Sequence, residues 1–210
     1  MIVVVEGPTA AGKTSWCLRH VGRFVPEHRA TGTEPADGQV LARHWARVSM
    51  RRWAQAEEVE RADGIAFCDT DPVKLHYSWG MAALGLAPRA QFERELAVLR
   101  VAFRTGRLGL ADAVLVGVPD LATLRTRRDD DTSRRRRNFA THVQLREPLR
   151  QWYATLDALD PGRVIWELPP EGVPKLPEPR TGRTDPELLD ALIAALPPLR
   201  APFRPPRHRP

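Results

Sequence analysis

At 210 residues, with 42% apolar and 28% charged side chains, the chain is sized and balanced for one globular domain with its own core. No apolar run approaches the roughly 20 residues that span a bilayer, and the short apolar run at the start follows no basic stretch, so neither a membrane helix nor a secretory signal is expected. The net charge of +6 invites a nucleic-acid reading, but four arginines between 200 and 210 account for four of it and leave +2 on the rest, too little for a nucleic-acid footprint.

In chain order, Ile2 to Val5 is too short for a helix and reads as a buried parallel strand. It breaks into Gly7-Pro8-Thr9-Ala10-Ala11-Gly12-Lys13-Thr14, the Gly-x-x-x-x-Gly-Lys-Thr spacing of a phosphate-binding loop. Gly7 and Gly12 allow successive N–H groups to turn around phosphate oxygens. Lys13 would reach the β- and γ-phosphates and the Thr14 hydroxyl would ligate Mg²⁺. A helix from Ser15 to Val21 adds the partial positive charge of its N-terminus. The expected nucleotide-phosphate site therefore runs from Gly7 to Ser15.

A short second strand is expected at Phe24-Val25 or near Ala30-Thr31, ending at Thr33-Glu34-Pro35. Gln39 to Ala62 has helical composition and is closed by Asp63-Gly64. Ile65 to Asp69 reads as a buried strand, followed by Thr70-Asp71-Pro72 and a helix from Val73 to Leu84. Pro88 opens a helix reaching about Thr105, with Phe92, Leu96, Leu99 and Phe103 at helical spacing. Ala113 to Val118 and Arg163 to Leu168 are further buried strands, separated by an Arg-rich segment and a helix from about Asn138 to Leu159. Asp185-Pro186 opens a last helix, with Asp185 as N-cap. Cys17 and Cys68 fall in expected core elements without metal spacing, as in a reducing cytoplasm, so a cytoplasmic protein is expected.

Strands alternating with helices imply a parallel sheet, and ligands of such sheets gather at the carboxyl ends of the strands. That singles out Glu34, Asp69, Asp71 and Asp120. Asp69 and Asp71, two residues apart beside the phosphate loop, can hold Mg²⁺ or accept a substrate hydroxyl proton. Arg125, Arg127 and Arg128 precede three aspartates, and Arg134 to Arg137 follow them. A loop between helices can bring such arginines down as a lid, where planar guanidinium forks bind phosphate oxygens. Arg128 is assigned to the donor phosphates, and Arg134 and Arg137 to the transferred group. Trp45, Trp53, Tyr77 and Trp79 can frame a flat substrate or serve as core; His44, His76 and His142 show no metal spacing.

In order and spacing these features resemble the P-loop nucleoside and nucleotide kinases, among them deoxynucleoside kinases, thymidylate kinases and the ribosylnicotinamide kinase-like ATPases. The resemblance is carried by Gly7 to Thr14, Glu34-Pro35, Asp69-Thr70-Asp71, and Val118 to Asp129 followed by Arg134 to Phe139. It implies a three-layer α/β/α P-loop NTPase fold over residues 1–196, with a parallel sheet and an arginine-rich lid over about 125–138; the Pro- and Arg-rich segment 197–210 is too rich in proline to pack and is expected to be a disordered tail. The resemblance further implies ATP and Mg²⁺, with Lys13 and Thr14 on phosphate and metal, Asp69 positioning or deprotonating the acceptor, Glu34 as the second-strand acid that serves as base, and Pro169 to Gly172 packing on adenine. The chain departs from the pattern at Asp69-Thr70-Asp71. Deoxynucleoside kinases carry Glu-Arg-Ser there and thymidylate kinases Asp-Arg-Tyr; the ribosylnicotinamide kinase type is closer, and the arginine is missing. The expected activity is transfer of the γ-phosphoryl group from ATP to a small-molecule acceptor, a nucleoside or nucleotide. A regulatory ATPase without such an acceptor and a polynucleotide kinase are the competing readings. No membrane partner is expected, and the aromatic helices offer a homodimer face.

Overall fold

A computed structural model describes residues 1–131 and 138–199, so Arg134, Arg137 and the tail from 200 lie outside the described residues. Five strands form one all-parallel sheet in the order β2-β3-β1-β4-β5: β1 (Ile2–Glu6), β2 (Phe24–Val25), β3 (Ala66–Asp69), β4 (Ala113–Val116) and β5 (Val164–Trp166). All five residues of β1 are buried, which is why the strand reads as a continuous apolar run rather than an alternating one. The second strand falls at Phe24–Val25, the earlier of the two expected positions.

The helices are α1 (Lys13–His20), α2 (Gly38–Asp63), α3 (Leu75–Ala83), α4 (Arg89–Arg104), α5 (Leu121–Asp130), α6 (Phe139–His142), α7 (Arg146–Leu159) and α8 (Pro186–Ala195). Their starts follow from local chemistry. The Asp37 carboxylate accepts from the N–H groups of Gln39 and Val40 at 2.9 Å to cap α2, and Asp185 caps α8 with Pro186 in its first turn. Asp120, expected at a ligand-binding strand end, instead caps α5 by accepting from the Thr123 N–H at 2.7 Å. The single helix expected over 138–159 is broken by a 3-10 turn at Val143–Leu145. Pro148 has no N–H and its ring would clash with the carbonyl four residues back, so it is tolerated in the first turn of α7 and not inside a longer helix.

The two faces of the sheet are covered unequally. Ile2, Val4, Cys68 and Val114 pack on one side against Trp53 of α2, Leu75 of α3, Phe103 of α4, Trp152 of α7 and Leu189 of α8. Val3, Val5, Phe67 and Leu115 pack on the other against Trp16 and Cys17 of α1 and the loop residue Leu168. A third, small cluster joins Ala10 and Ala11 of the phosphate loop to Leu124 of α5 and Phe139 of α6. The helices on either side of the Arg-rich segment therefore rest on the phosphate loop itself. No helix among the described residues is long and apolar enough to cross a membrane.

Candidate active site

The phosphate loop leaves β1 at the centre of the sheet and feeds directly into α1. Gly7 is required by space: a Cβ there would lie 2.3 Å from the Gly117 carbonyl oxygen. Gly12 is required by conformation, with φ at 92, and Ala10 adopts φ 63 between them. The Lys13 ammonium donates to the Gly7 carbonyl at 2.8 Å and the Pro8 carbonyl at 3.4 Å, so it lies across the loop where phosphate oxygens would compete for it. Thr9 and Thr14 are half-buried, and Ser15 is exposed in the first turn of α1.

Thr14 and Asp69 are brought together, the Thr14 hydroxyl donating to Asp69 Oδ2 at 2.6 Å. The other carboxylate oxygen, Asp69 Oδ1, is buried and has no hydrogen-bond partner among the described residues. Burial pushes the Asp69 carboxyl up, against the opposing pull of the Thr14 hydrogen bond and Lys13. An orphaned carboxylate oxygen beside a hydroxyl suits a hard divalent cation with oxygen ligands. No cluster of three metal-ligating side chains occurs among the described residues. Such a cation would take its remaining ligands from phosphate and water, as Mg²⁺ does.

Asp71 is placed differently. It is buried, with Oδ1 accepting from the Val73 N–H at 2.9 Å and Oδ2 from the Tyr153 hydroxyl at 3.0 Å. Its own N–H donates to Glu6 Oε2 at 2.9 Å, and Glu6 Oε1 accepts from the Gly7 N–H at 2.8 Å. His76 completes this group, with Nε2 3.4 Å from Glu6 Oε2. Burial pushes the His76 imidazole below its usual value and the Asp71 carboxyl above its own. Both oxygens of Asp71 are thus engaged behind the loop. The reversal between Asp69 and Asp71 is made by Thr70, held at φ 73 in a region that a β-branched residue rarely adopts. Glu6 and Tyr153 were not singled out from sequence, and His76, noted there only for its lack of metal spacing, is buried. Glu6 is the one acid at the end of an otherwise apolar strand, a signal that was present.

The second strand end also differs from expectation. Glu34 lies in an exposed turn and is satisfied there: Oε1 accepts from the Thr31 N–H at 2.5 Å and Oε2 from the Gly32 N–H at 2.9 Å. These backbone donors hold its carboxyl below the ordinary range. No hydrogen bond or ion pair among the described residues links it to Lys13, Thr14 or Asp69. The acid that follows β2 directly is Glu27, two residues after Val25, paired with Lys74 at 2.8 Å. Burial would raise the Glu27 carboxyl, but Lys74 and Lys13 outweigh it and bring it down to about 2. Glu27 is also within electrostatic reach of Asp69. Buried Arg52 of α2 ties these two strand ends together, its Nε donating to the Pro26 carbonyl at 3.0 Å and Nη2 to the carbonyls of Asp69 and Thr70 at 2.8 Å. Arg52 sits on the stripe of Ser49 and Ala56 in α2, a buried position its helical spacing betrays.

On the lid side, Arg127 donates to the Ala11 carbonyl at 2.6 Å and so latches α5 to the phosphate loop. Arg128 instead lies over the Phe139 ring, 4.7 Å from its centroid, and pairs with Asp129. The expected adenine loop reaches α1, where Trp16 Nε1 donates to the Pro169 carbonyl at 2.7 Å. Of the four aromatics, Trp53 and Trp79 are core. Trp45 meets His28 edge-on at 5.9 Å, and the Tyr77 hydroxyl lies 3.1 Å from His142 Nε2. A separate groove of about 670 Å³ between α2 and α4, lined by Arg43, Met50, Arg94 and Val98, shares no residue with this site.

No protein-family model matches the chain, and no curated protein matches it either. Solved structures do. The deoxyadenosine kinase from M. mycoides with bound dATP aligns with a TM-score of 0.52 at 9% identity, over 80% of this chain and 91% of that one. The same kinase with products dCMP and a flexible dCDP aligns with a TM-score of 0.54 at 12% identity, over 93% and 100%. With bound dCTP the TM-score is 0.50 at 11% identity, over 80% and 90%. Sheet order, phosphate loop and these alignments agree: the chain has the P-loop fold of the deoxynucleoside kinases.

Proposed function

We propose that the protein is an ATP- and Mg²⁺-dependent kinase that transfers a γ-phosphoryl group to a small-molecule acceptor, a nucleoside or nucleotide. The observation that carries this reading is the pairing of Thr14 with Asp69 beside Lys13, with one Asp69 oxygen left unpartnered at the carboxyl edge of the sheet. The loop N–H groups and Lys13 bind the donor phosphates. Thr14 and Asp69 would hold Mg²⁺, which when bound neutralises phosphate charge. Glu27, two residues past β2 and paired with Lys74, is assigned to accept the acceptor hydroxyl proton. Glu34 closes its own turn instead. Arg127 positions the loop, and Arg134 and Arg137 of the lid are assigned to the transferred group. Phosphoryl transfer asks mainly for positioning and charge stabilisation, which this arrangement supplies. The kinase that shares the fold has been solved with dATP and dCTP, which puts deoxynucleosides first among acceptors to try.

The test is transfer of labelled γ-phosphate from ATP to nucleosides, nucleoside monophosphates and ribosylnicotinamide, with Lys13→Ala as control. One acceptor labelled by the wild type and not by the variant is the expected result. ATP binding without transfer to any of them would move the reading to a regulatory ATPase.

A further inference from the structure

Lys74 stands one residue before α3 with φ at 41, a left-handed conformation that a lysine adopts only when its surroundings hold it there. Its side chain caps no helix N–H. Its ammonium donates to Glu27 Oε1 at 2.8 Å, joining the start of α3 to the end of β2. Thr70, where the resemblance places an arginine, brings no charge, and its buried hydroxyl has no partner among the described residues. Arg52 spends its donors on the carbonyls of Pro26, Asp69 and Thr70.

We propose that Lys74 is the positioning residue of the acceptor site, holding the Glu27 carboxylate at the end of β2. The proposal rests on the kinase reading above, with Glu27 as the proton acceptor. The charged and titratable groups around Glu27 come from every neighbouring element: Lys13 from α1, Arg52 from α2, Asp69 from β3, Lys74 and Tyr77 at α3, and His142 from α6. Lys74 is the one among them that touches the carboxylate. Removing it leaves burial opposed mainly by Lys13, so the carboxyl climbs toward the ordinary range. Because phosphoryl transfer depends on orientation more than on base strength, a fixed, ionised carboxylate serves better than a mobile, more basic one.

The full chain labelled with ¹³C-glutamate allows the Glu27 carboxyl to be titrated by NMR, assigned from its absence in Glu27→Gln. In the wild type the signal is expected to stay ionised down to about pH 4, the ordinary glutamate range. In Lys74→Met its midpoint should rise into that range, and Lys74→Arg should bring it back down. With ATP and deoxyadenosine, Lys74→Met should lower kcat about 100-fold with little change in KM for ATP, and Lys74→Arg should recover most of it. An unmoved Glu27 midpoint or a wild-type kcat in Lys74→Met overturns the proposal, as does a wild-type kcat in Glu27→Gln. If the wild type transfers to no acceptor, the kinase reading fails, and the NMR midpoint alone then judges the Lys74–Glu27 pair.

Discussion

The phosphate loop has a front and a back, and the two differ in how their polar atoms are satisfied. Behind it, Glu6, Asp71, His76 and Tyr153 are buried together, and the carboxylate oxygens of both acids have donors from the protein. In front, Lys13 rests on carbonyls of its own loop, and Asp69 Oδ1 and the Thr70 hydroxyl have no partner among the described residues. Folding alone penalises that front, because each orphaned buried group forfeits its solvation. Natural chains accept such losses at functional sites. Asp69 and Asp71 are two residues apart, identical in chemistry, and opposite in this respect. The protein satisfies both oxygens of Asp71 and, among the described residues, leaves one oxygen of Asp69 without a partner.

The largest test of the contrast is Lys13→Ala. Its hydrogen bonds serve only the loop and its ion pair to Glu6 is long at 4.0 Å, so its loss should lower kcat/KM about 1000-fold while leaving the circular dichroism spectrum and Tm close to wild type. A collapse in Tm would place Lys13 with the structural groups. Next is Asp69→Asn, expected to lower kcat about 100-fold and to raise the Mg²⁺ concentration needed for half-maximal rate. Tyr153→Phe should do the reverse. It strips a donor from a fully buried carboxylate, costing about 2 kcal/mol in denaturant unfolding, with the Mg²⁺ dependence unchanged.

The back of the loop also has a signature in pH. His76 is held below its unfolded value, chiefly by burial, so the unfolded chain binds more protons just below pH 6.5. The His76 contribution to stability should therefore rise with pH through that window and be lost as acid drives the proton onto the imidazole, while the raised carboxyls of Asp69, Asp71 and Glu95 contribute with the opposite sign as pH rises through their own folded values. His28 and His142 are shifted the same way as His76 and add to the slope. His76→Gln should flatten it without abolishing it. An unchanged slope would mean that the imidazole is not the group being titrated.

The fold was legible where one local rule decides. An apolar run broken by Gly7 and a Gly-Lys-Thr triplet reads as a strand, a glycine loop and a helix start, and Asp185-Pro186 marks another helix start. Lys13, Thr14 and Asp69 stand out by the same rules, since Lys13 and Thr14 lie in the first turn of α1 and Asp69 ends β3. β2 is only two residues long, so the sequence offers both Phe24-Val25 and Ala30-Thr31 for it and points to Glu34 rather than Glu27 as its acid. Its acid, Glu27, is brought into place by Arg52 and Lys74, which arrive from 25 and 47 positions away, and no pattern along the chain records that meeting. The Asp69–Asp71 reversal was hidden for a related reason: it depends on the backbone angle of Thr70, which the residue type itself disfavours.

The smallest expected effect separates the two acids that follow β2. Glu34 is half-buried, its carboxylate already accepting from the N–H groups of Thr31 and Gly32 within its own turn, so Glu34→Gln should change kcat less than about 2-fold, as substitutions away from a site do. Glu27→Gln should cost about 100-fold, the share a proton acceptor contributes. Steady-state transfer rates for the two variants side by side decide the matter. A tenfold loss in Glu34→Gln would mean that the turn opens during turnover and delivers Glu34 to the acceptor, and that a carboxylate satisfied at rest is still free to act once substrate competes for it.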